Sequence, residues 1–414
     1  MDPRSAMVVV FDRLGSSYLG PYGNTTFSTP AFNRLAAESL LLDFGFADSP
    51  DLARIYRSFW QGSHAFDETN DAPALFARAK EQGLPVVLLT DEPRVARHAL
   101  AAGCEVELVA APRQAKSASA PEETQLAQLF YRAIERLAAM ESPHLLWVHA
   151  ASLDREWDAP LEMRERLADE EDPEPLSLVV PPSLHLPPDH DPDERLGLVQ
   201  AYSAQVILAD MCLEILLDAW KEFPLRESTM LAIAGARGFP LGEHGGVGSR
   251  SESLHHELLA VPYLFRLPGG EGGATRHPPL VQPADFGATI ADWLALPALA
   301  RPSWGQSLLP LVRDEVPAGL HAAASLTGGE QSLRTPAWFL RSPAAGQEDP
   351  HDQPSAELYA KPDDRWEVNE VADRCGEFAE ELRAYLARFG EAAARSSRES
   401  LPPLPEDLQV RMEC

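Results

Sequence analysis

Residues 7–11, Met-Val-Val-Val-Phe, form an apolar and largely β-branched run, and Asp12 follows it directly. A run this short and unbroken is the pattern of a strand buried on both faces, as in a parallel sheet. It sets a carboxylate at the strand's carboxyl edge, where open α/β sheets place their chemistry. Thr29 and Pro30, followed by Phe32, Leu35, Ala36 and Leu40, supply an N-cap, a proline at the first helical position and one apolar face, so a helix starts at about Pro30. The pattern then repeats: helix 74–82 closed by Gly83, strand 86–89, helix 122–140, strand 145–149, helix 194–221, strands 230–234 and 263–266, and helix 284–296. Strands alternating with helices specify a mostly parallel sheet covered on both faces.

The rest of the chain is less periodic. Residues 158–193 are rich in Pro, Asp and Glu and read as a long surface excursion; His185, Asp189, His190 and Asp191 lie there without ligand spacing, as a solvated loop would carry them. A Gly-rich segment, 235–248, follows the strand at 230–234. Residues 318–331 read as a small-residue linker, followed by a strand-like TPAWFLRS and a helix near 377–389. The expected division is a large α/β domain over 1–317 and a small subdomain over 318–414.

Charge narrows the partners. Lys and Arg number 35 against 63 Asp and Glu, a formal charge of -28, so a nucleic acid would be repelled over most of the surface. The opening residues leave no room for a signal peptide, and no run approaches the ~20 apolar residues of a membrane span, which makes a cytoplasmic location the expectation. Cys104, Cys212, Cys375 and Cys414 are widely separated and form no zinc-binding or dense disulfide pattern.

The stretch VVVFDRLGSSYLGPYGNTTFSTPAFNRLAAES resembles the opening of a type I sulfatase. Further segments are similar to the same family in the same order: LLWVHAASLDREWDAP, LGEHGGVGSRSESLHHELLAVPYLFRLPG, DFGATIADWLALP with GQSLLPLV, and TPAWFL with ELYAKPDDRWEVNEVAD. The resemblance spans essentially the whole chain. It implies an alkaline-phosphatase-like α/β fold, with a central mixed, mostly parallel sheet flanked by helices on both faces and a small C-terminal α+β subdomain.

The resemblance also implies a site, and most of its groups are replaced. The family nucleophile is a modified Cys or Ser; in SPDLARIYRSFWQG its place falls on Leu52, and Tyr56 takes the place of the family Arg. Asp51, beside it, is open to reading as a carboxylate nucleophile, and Arg54 and Arg57 as an anion clamp, or all three as an ordinary polar helix start. The first metal ligand survives as Asp12, but its neighbour is Arg13. The second ligand pair falls on Ala236 and Arg237, and Asp154 stands where relatives carry a catalytic His. None of the four lysines, Lys80, Lys116, Lys221 and Lys361, lies in a matched catalytic motif. His149, His244, His255 and His256 fall in matching segments but at no catalytic position, and His149 and His244 read as packing or turn residues.

Asp12 at a buried strand end needs a counter-charge or a proton, so Arg237, with Arg13, is expected to supply the charge that a metal supplies in relatives. The expected outcome is a non-catalytic sulfatase-like scaffold with no cofactor, the family's calcium being lost, that binds a small anionic ligand or a protein partner. A rebuilt, metal-free, arginine-rich ester hydrolase and a structural partner of an active homologue are the alternatives.

Overall fold

The computed structural model describes residues 4–109, 116–141, 143–250, 253–297, 303–315, 320–344 and 356–410. An eight-stranded sheet forms the centre. Its strands are β1 (Ser5–Phe11), β2 (Leu40–Phe46), β3 (Val86–Thr90), β4 (Glu105–Leu108), β5 (Leu145–Ala150), β7 (Thr229–Gly235), β9 (Ala260–Arg266) and β10 (Thr275–Val281), in the order β10-β2-β9-β7-β1-β5-β3-β4. Short strands β6 (Leu184–His185) and β8 (Gly246–Val247) pair outside it. Within the eight-stranded sheet, only β9 is antiparallel to its neighbours.

The apolar run of β1 is continuous because both its faces are buried. Met7, Val9 and Phe11 enter one core, beneath helices Gln125–Ala139 and Pro192–Glu222. Ala6, Val8 and Val10 enter the other, beneath helices Leu52–Gln61 and Pro283–Trp293. Helix Pro192–Glu222 is long and apolar enough to cross a membrane by length and composition, but 78% of the qualifying window is buried inside the protein, as in a core helix.

A second, antiparallel sheet orders β11 (Ala323–Leu326), β12 (Glu330–Arg334), β13 (Trp338–Pro343) and β14 (Glu357–Ala360). Helix Gly376–Ala394 covers it through Leu382, Tyr385 and Phe389. Phe46 of β2 and Leu259 meet Phe339 and Tyr359 across the junction with the large sheet.

Several sequence expectations need correction. The supposed linker at 318–331 carries β11 and the start of β12; successive residues of β11 enter opposite cores, Ala324 one and Ala323 the other, in the manner of a strand. The strand expected at 263–266 begins at Ala260 and runs antiparallel. Strands β2, β4 and β10 went unread: β2 follows its helix after only Ala37, Glu38 and Ser39, so that Leu40 reads as part of the helical face, β4 is a short exposed edge, and β10 holds two prolines, which an edge strand tolerates. The excursion at 158–193 is not simply solvated. Its Arg164 is buried and donates to the carbonyls of Trp157, Leu176 and Leu178, and His185 lies in β6.

Just past β2, Asp48 is fully buried. Its Oδ2 accepts from Ser58 Oγ at 2.5 Å and from Ala65 N at 3.0 Å, and burial pushes its carboxyl up to about 7. The folded chain therefore holds this proton more tightly than the unfolded chain does, with an unfolded pKa of about 3.9. Its contribution is largest in acid and falls as pH rises from about 4 to about 7. Asp48→Asn, whose amide oxygen accepts the same two bonds, is expected to flatten stability over that window and to raise the unfolding midpoint at pH 8, read by urea denaturation.

Candidate functional site

Three strand ends are locked together at the carboxyl edge of the sheet. Asp12 N donates to Ala150 O of β5 at 2.8 Å, and Ala236 N donates to Phe11 O of β1 at 2.9 Å. Gly235 must be glycine, because a Cβ there would lie 2.7 Å from Leu14 O and 2.8 Å from Pro262. This close approach delivers Arg237 to Asp12. Arg237 Nε donates to Asp12 Oδ1 at 2.8 Å and Nη2 to Oδ2 at 2.9 Å, while Nη1 donates to Pro50 O at 2.6 Å. The bidentate fork occupies both carboxylate oxygens.

Further charges close the group. Arg13 Nε donates to Asp154 Oδ1 at 2.9 Å and its Nη1 to Gly238 O at 3.2 Å. Arg13 sits in the left-handed region at φ 64°, held there by these bonds and by Tyr202, whose hydroxyl donates to Arg13 O at 2.6 Å. Arg94 reaches Asp154 Oδ2 at 3.2 Å while paired with Glu92 at 3.0 Å. Three arginines thus meet three carboxylates, and Asp12, Arg13 and Arg237 are buried. Burial works against the Asp12 carboxylate, but the charge and hydrogen bonds of Arg237, with Arg13 beyond, outweigh it and hold its pKa well below the usual range. Burial alone would weaken the Arg237 cation; Asp12 and Asp154 reverse that and raise it.

Helix Leu52–Gln61 supplies the wall at the nucleophile position. Asp51 is its exposed N-cap and accepts from Arg54 N at 2.9 Å. Leu52 and Tyr56, one turn apart, share its buried face with Ala236, which packs in the same core. The Tyr56 hydroxyl lies 2.5 Å from His149 Nδ1, and His149 Nε2 is buried without a partner. Burial lowers the His149 pKa to about 4, so the ring is neutral. His149 is thus hydrogen-bonded, more than the packing residue the sequence suggested.

The structure gathers Asp12, Arg13, Asp154 and Arg237, with Ala236, Leu52 and Tyr56 nearby. It does not bring Arg54 and Arg57 to them. Helical spacing turns both away from the Leu52 face: Arg54 donates to Glu68 at 2.8 Å, and Arg57 donates to the Asp67 carbonyl. Glu92 and Arg94 were missed by sequence reasoning, although the acidic pair Asp91-Glu92 straight after a strand was a signal.

A second cluster joins the Gly-rich loop to the small sheet. His244 and His255 stack with ring centroids 3.5 Å apart, beside Glu367. Their spacing would suit a metal, but the donor atoms are engaged. His255 Nδ1 lies 2.9 Å from Glu367 and its Nε2 lies 2.5 Å from Arg341 Nη1, while Lys361 pairs with Glu367 at 3.0 Å. His244 pairs with Glu257 at 2.8 Å; burial opposes its protonation, and Glu257 overcomes that and raises its pKa. His244 is therefore part of an ionic brace, a correction to its reading as a packing or turn residue.

A mixed eight-stranded sheet between helices, with a small antiparallel sheet beside it, is the sulfatase-like, alkaline-phosphatase-like architecture. Among solved structures, the chain is similar to the phosphonate monoester hydrolase of Agrobacterium radiobacter, with TM-score 0.76, 15% identity and coverage of 95% of this chain and 96% of that one. It is likewise similar to the phosphonate monoester hydrolase of Silicibacter pomeroyi, with TM-score 0.73, 15% identity and 96% of each chain covered. A 2-O GAG sulfatase gives TM-score 0.73 at 16% identity, over 96% of this chain and 94% of that one. At these identities the likeness establishes the fold. No family model matches the sequence, and no curated protein matches it.

Proposed function

We propose that this protein is a sulfatase-like scaffold that binds a ligand or partner and does not hydrolyse esters. The observation that carries the reading is the Arg237 fork on both oxygens of Asp12. A hard divalent cation of the kind sulfatases use takes six to eight oxygens in the case of Ca²⁺, chiefly from carboxylates. Here the one matching carboxylate is neutralised by a guanidinium, Ala236 offers no oxygen, and Arg13 adds a repelling charge. The residues present do not fit the ion.

The remaining requirements fail independently. Leu52 has no atom that attacks sulfur or phosphorus, and Asp154, held by Arg13 and Arg94, is no substitute for a His that gives up a proton. The rebuilt-hydrolase alternative required Asp51, Asp154, Arg54, Arg57 and Arg237 to converge, and the engagement of Arg54 and Arg57 with residues 65–68 counts against it. The partner-subunit reading calls for one broad apolar patch. Large exposed apolar residues among those described come from many separate elements, Val106 and Leu108 on β4, Tyr131 on helix Gln125–Ala139, Val180 in the excursion, Met211 and Ile215 on the long helix, Trp366 and Val368 beyond β14, and Val410 after the last helix.

The test is turnover of an aryl sulfate, an aryl phosphate and a phosphonate monoester, the last being the ester class named for two structural neighbours. The expected rate equals that of buffer. Turnover abolished by Asp12→Asn would overturn the proposal.

A further inference from the structure

A cavity of about 250 Å³ opens at the carboxyl edge of β2, between Phe44–Phe46, the start of β9 and the small subdomain. Its β2 wall lies three strand positions from β1, about 14 Å at ordinary strand spacing, and its β9 wall, at Ala260, two positions. None of Asp12, Arg13, Asp154 and Arg237 lines it. Four cations do: Arg276, Arg334, Lys361 and Arg365, against one carboxylate, Asp43. The chain as a whole carries a formal charge of -28, so this lining is opposite in sign to the protein's net charge.

The cations are only partly compensated. Arg276 Nε donates to Asp43 at 3.0 Å, and Lys361 pairs with Glu367 behind the wall at 3.0 Å. Arg365 donates to Tyr22 O at 3.2 Å and Arg334 to the carbonyls of Thr335 and Trp338; among the described residues neither has a carboxylate within 4.0 Å. Arg334 is 5% exposed and lies over the Phe44 ring. A guanidinium buried with only carbonyl partners is costly, and an anion in the cavity would relieve it. Two carboxylates facing four cations leave a surplus of two positive charges.

We propose that this cavity binds a phosphate dianion, free or as the phosphoryl group of a small ligand. An organic phosphate carries about -1.5 to -2 at pH 7 and several acceptor oxygens, which match the surplus and the guanidinium donors. An organic sulfate, a monoanion, matches half of it. A larger cavity of about 550 Å³ shares His256 and Arg365 with this one and has room for the rest of such a ligand beside Tyr18, Phe27 and Trp366. The site stands whether or not the β1 end hydrolyses esters.

The experiment is isothermal titration calorimetry of the whole chain with inorganic phosphate, phenyl phosphate and phenyl sulfate in a phosphate-free buffer. Saturable phosphate binding at one site per chain is expected, with phenyl phosphate tighter than phenyl sulfate. Phenyl phosphate tighter than inorganic phosphate assigns the site to an organic phosphate, and the reverse order to the free ion. Arg276→Ala and Arg365→Ala, both at least partly exposed, should each weaken binding about tenfold. Asp43→Asn should strengthen it, a gain that misfolding would not produce. Absence of saturable phosphate binding, or binding left unchanged by both Arg276→Ala and Arg365→Ala, overturns the assignment.

Discussion

Asp12→Ala is expected to destabilise the protein by about 3–5 kcal/mol, because it strips the buried Arg237 cation of its forked partner and leaves only Asp154, at 3.5 Å, which Arg13 and Arg94 already share. Arg237→Met is expected to cost a similar amount for the opposite reason, leaving Asp12 charged at 0% exposure or forcing it to take up a proton. The double variant Asp12→Ala with Arg237→Met should recover most of either loss, since two apolar groups need no counter-charge. Urea denaturation of the four proteins gives the cycle. Additive losses would mean that the two residues do not act as one unit. The pH dependence follows from the sign of the shift. Asp12 has a depressed folded pKa, so the stabilisation is present above the unfolded value of about 3.9 and is lost as pH falls below it.

The second large effect is a gain. Ala236→Asp combined with Arg237→Asn restores the acidic and amide ligands at the end of β7 and frees both oxygens of Asp12. This variant should be destabilised in a chelator and stabilised by Ca²⁺, by about 2.7 kcal/mol when the ion is at 100 times its Kd. Thermal unfolding with and without Ca²⁺ reads the difference. The unmodified protein should show no such shift; an equal shift in both would mean that Arg237 never excluded the ion.

The parts of this structure that were legible in the sequence share one cause. β1, β5 and β7 are buried on both faces, so their apolar runs are unbroken, and the carboxylate at the end of β1 had to find a cation. Arg237, at the matching end of β7, was the candidate, and the two side chains meet at 2.8 Å. What was illegible depended on contacts distant in sequence. Arg94 reaches Asp154 across 60 residues; the acidic pair Asp91-Glu92 marks a strand end locally, but not the distant carboxylate that Arg94 meets. Arg54 and Arg57 were ambiguous because an arginine at a helix start looks the same whether it faces a site or the segment beyond the helix. The small residues at 318–331 look like a linker until a neighbouring strand gives them a ladder, and β11 pairs β12 from Ala323 to Leu326. His244 and His255 acquire their roles only when the small subdomain brings Glu367 and Arg341 to them.

The central claim is that an arginine has taken the place of the metal. Elemental analysis of protein purified without chelator, then incubated with Ca²⁺, Mg²⁺ and Mn²⁺ and freed of unbound ion, tests it without any guess about substrate. The account predicts no retained ion. About one tightly bound ion per chain, lost in Asp12→Asn, would contradict it, because that ion and the Arg237 fork compete for the same two oxygens.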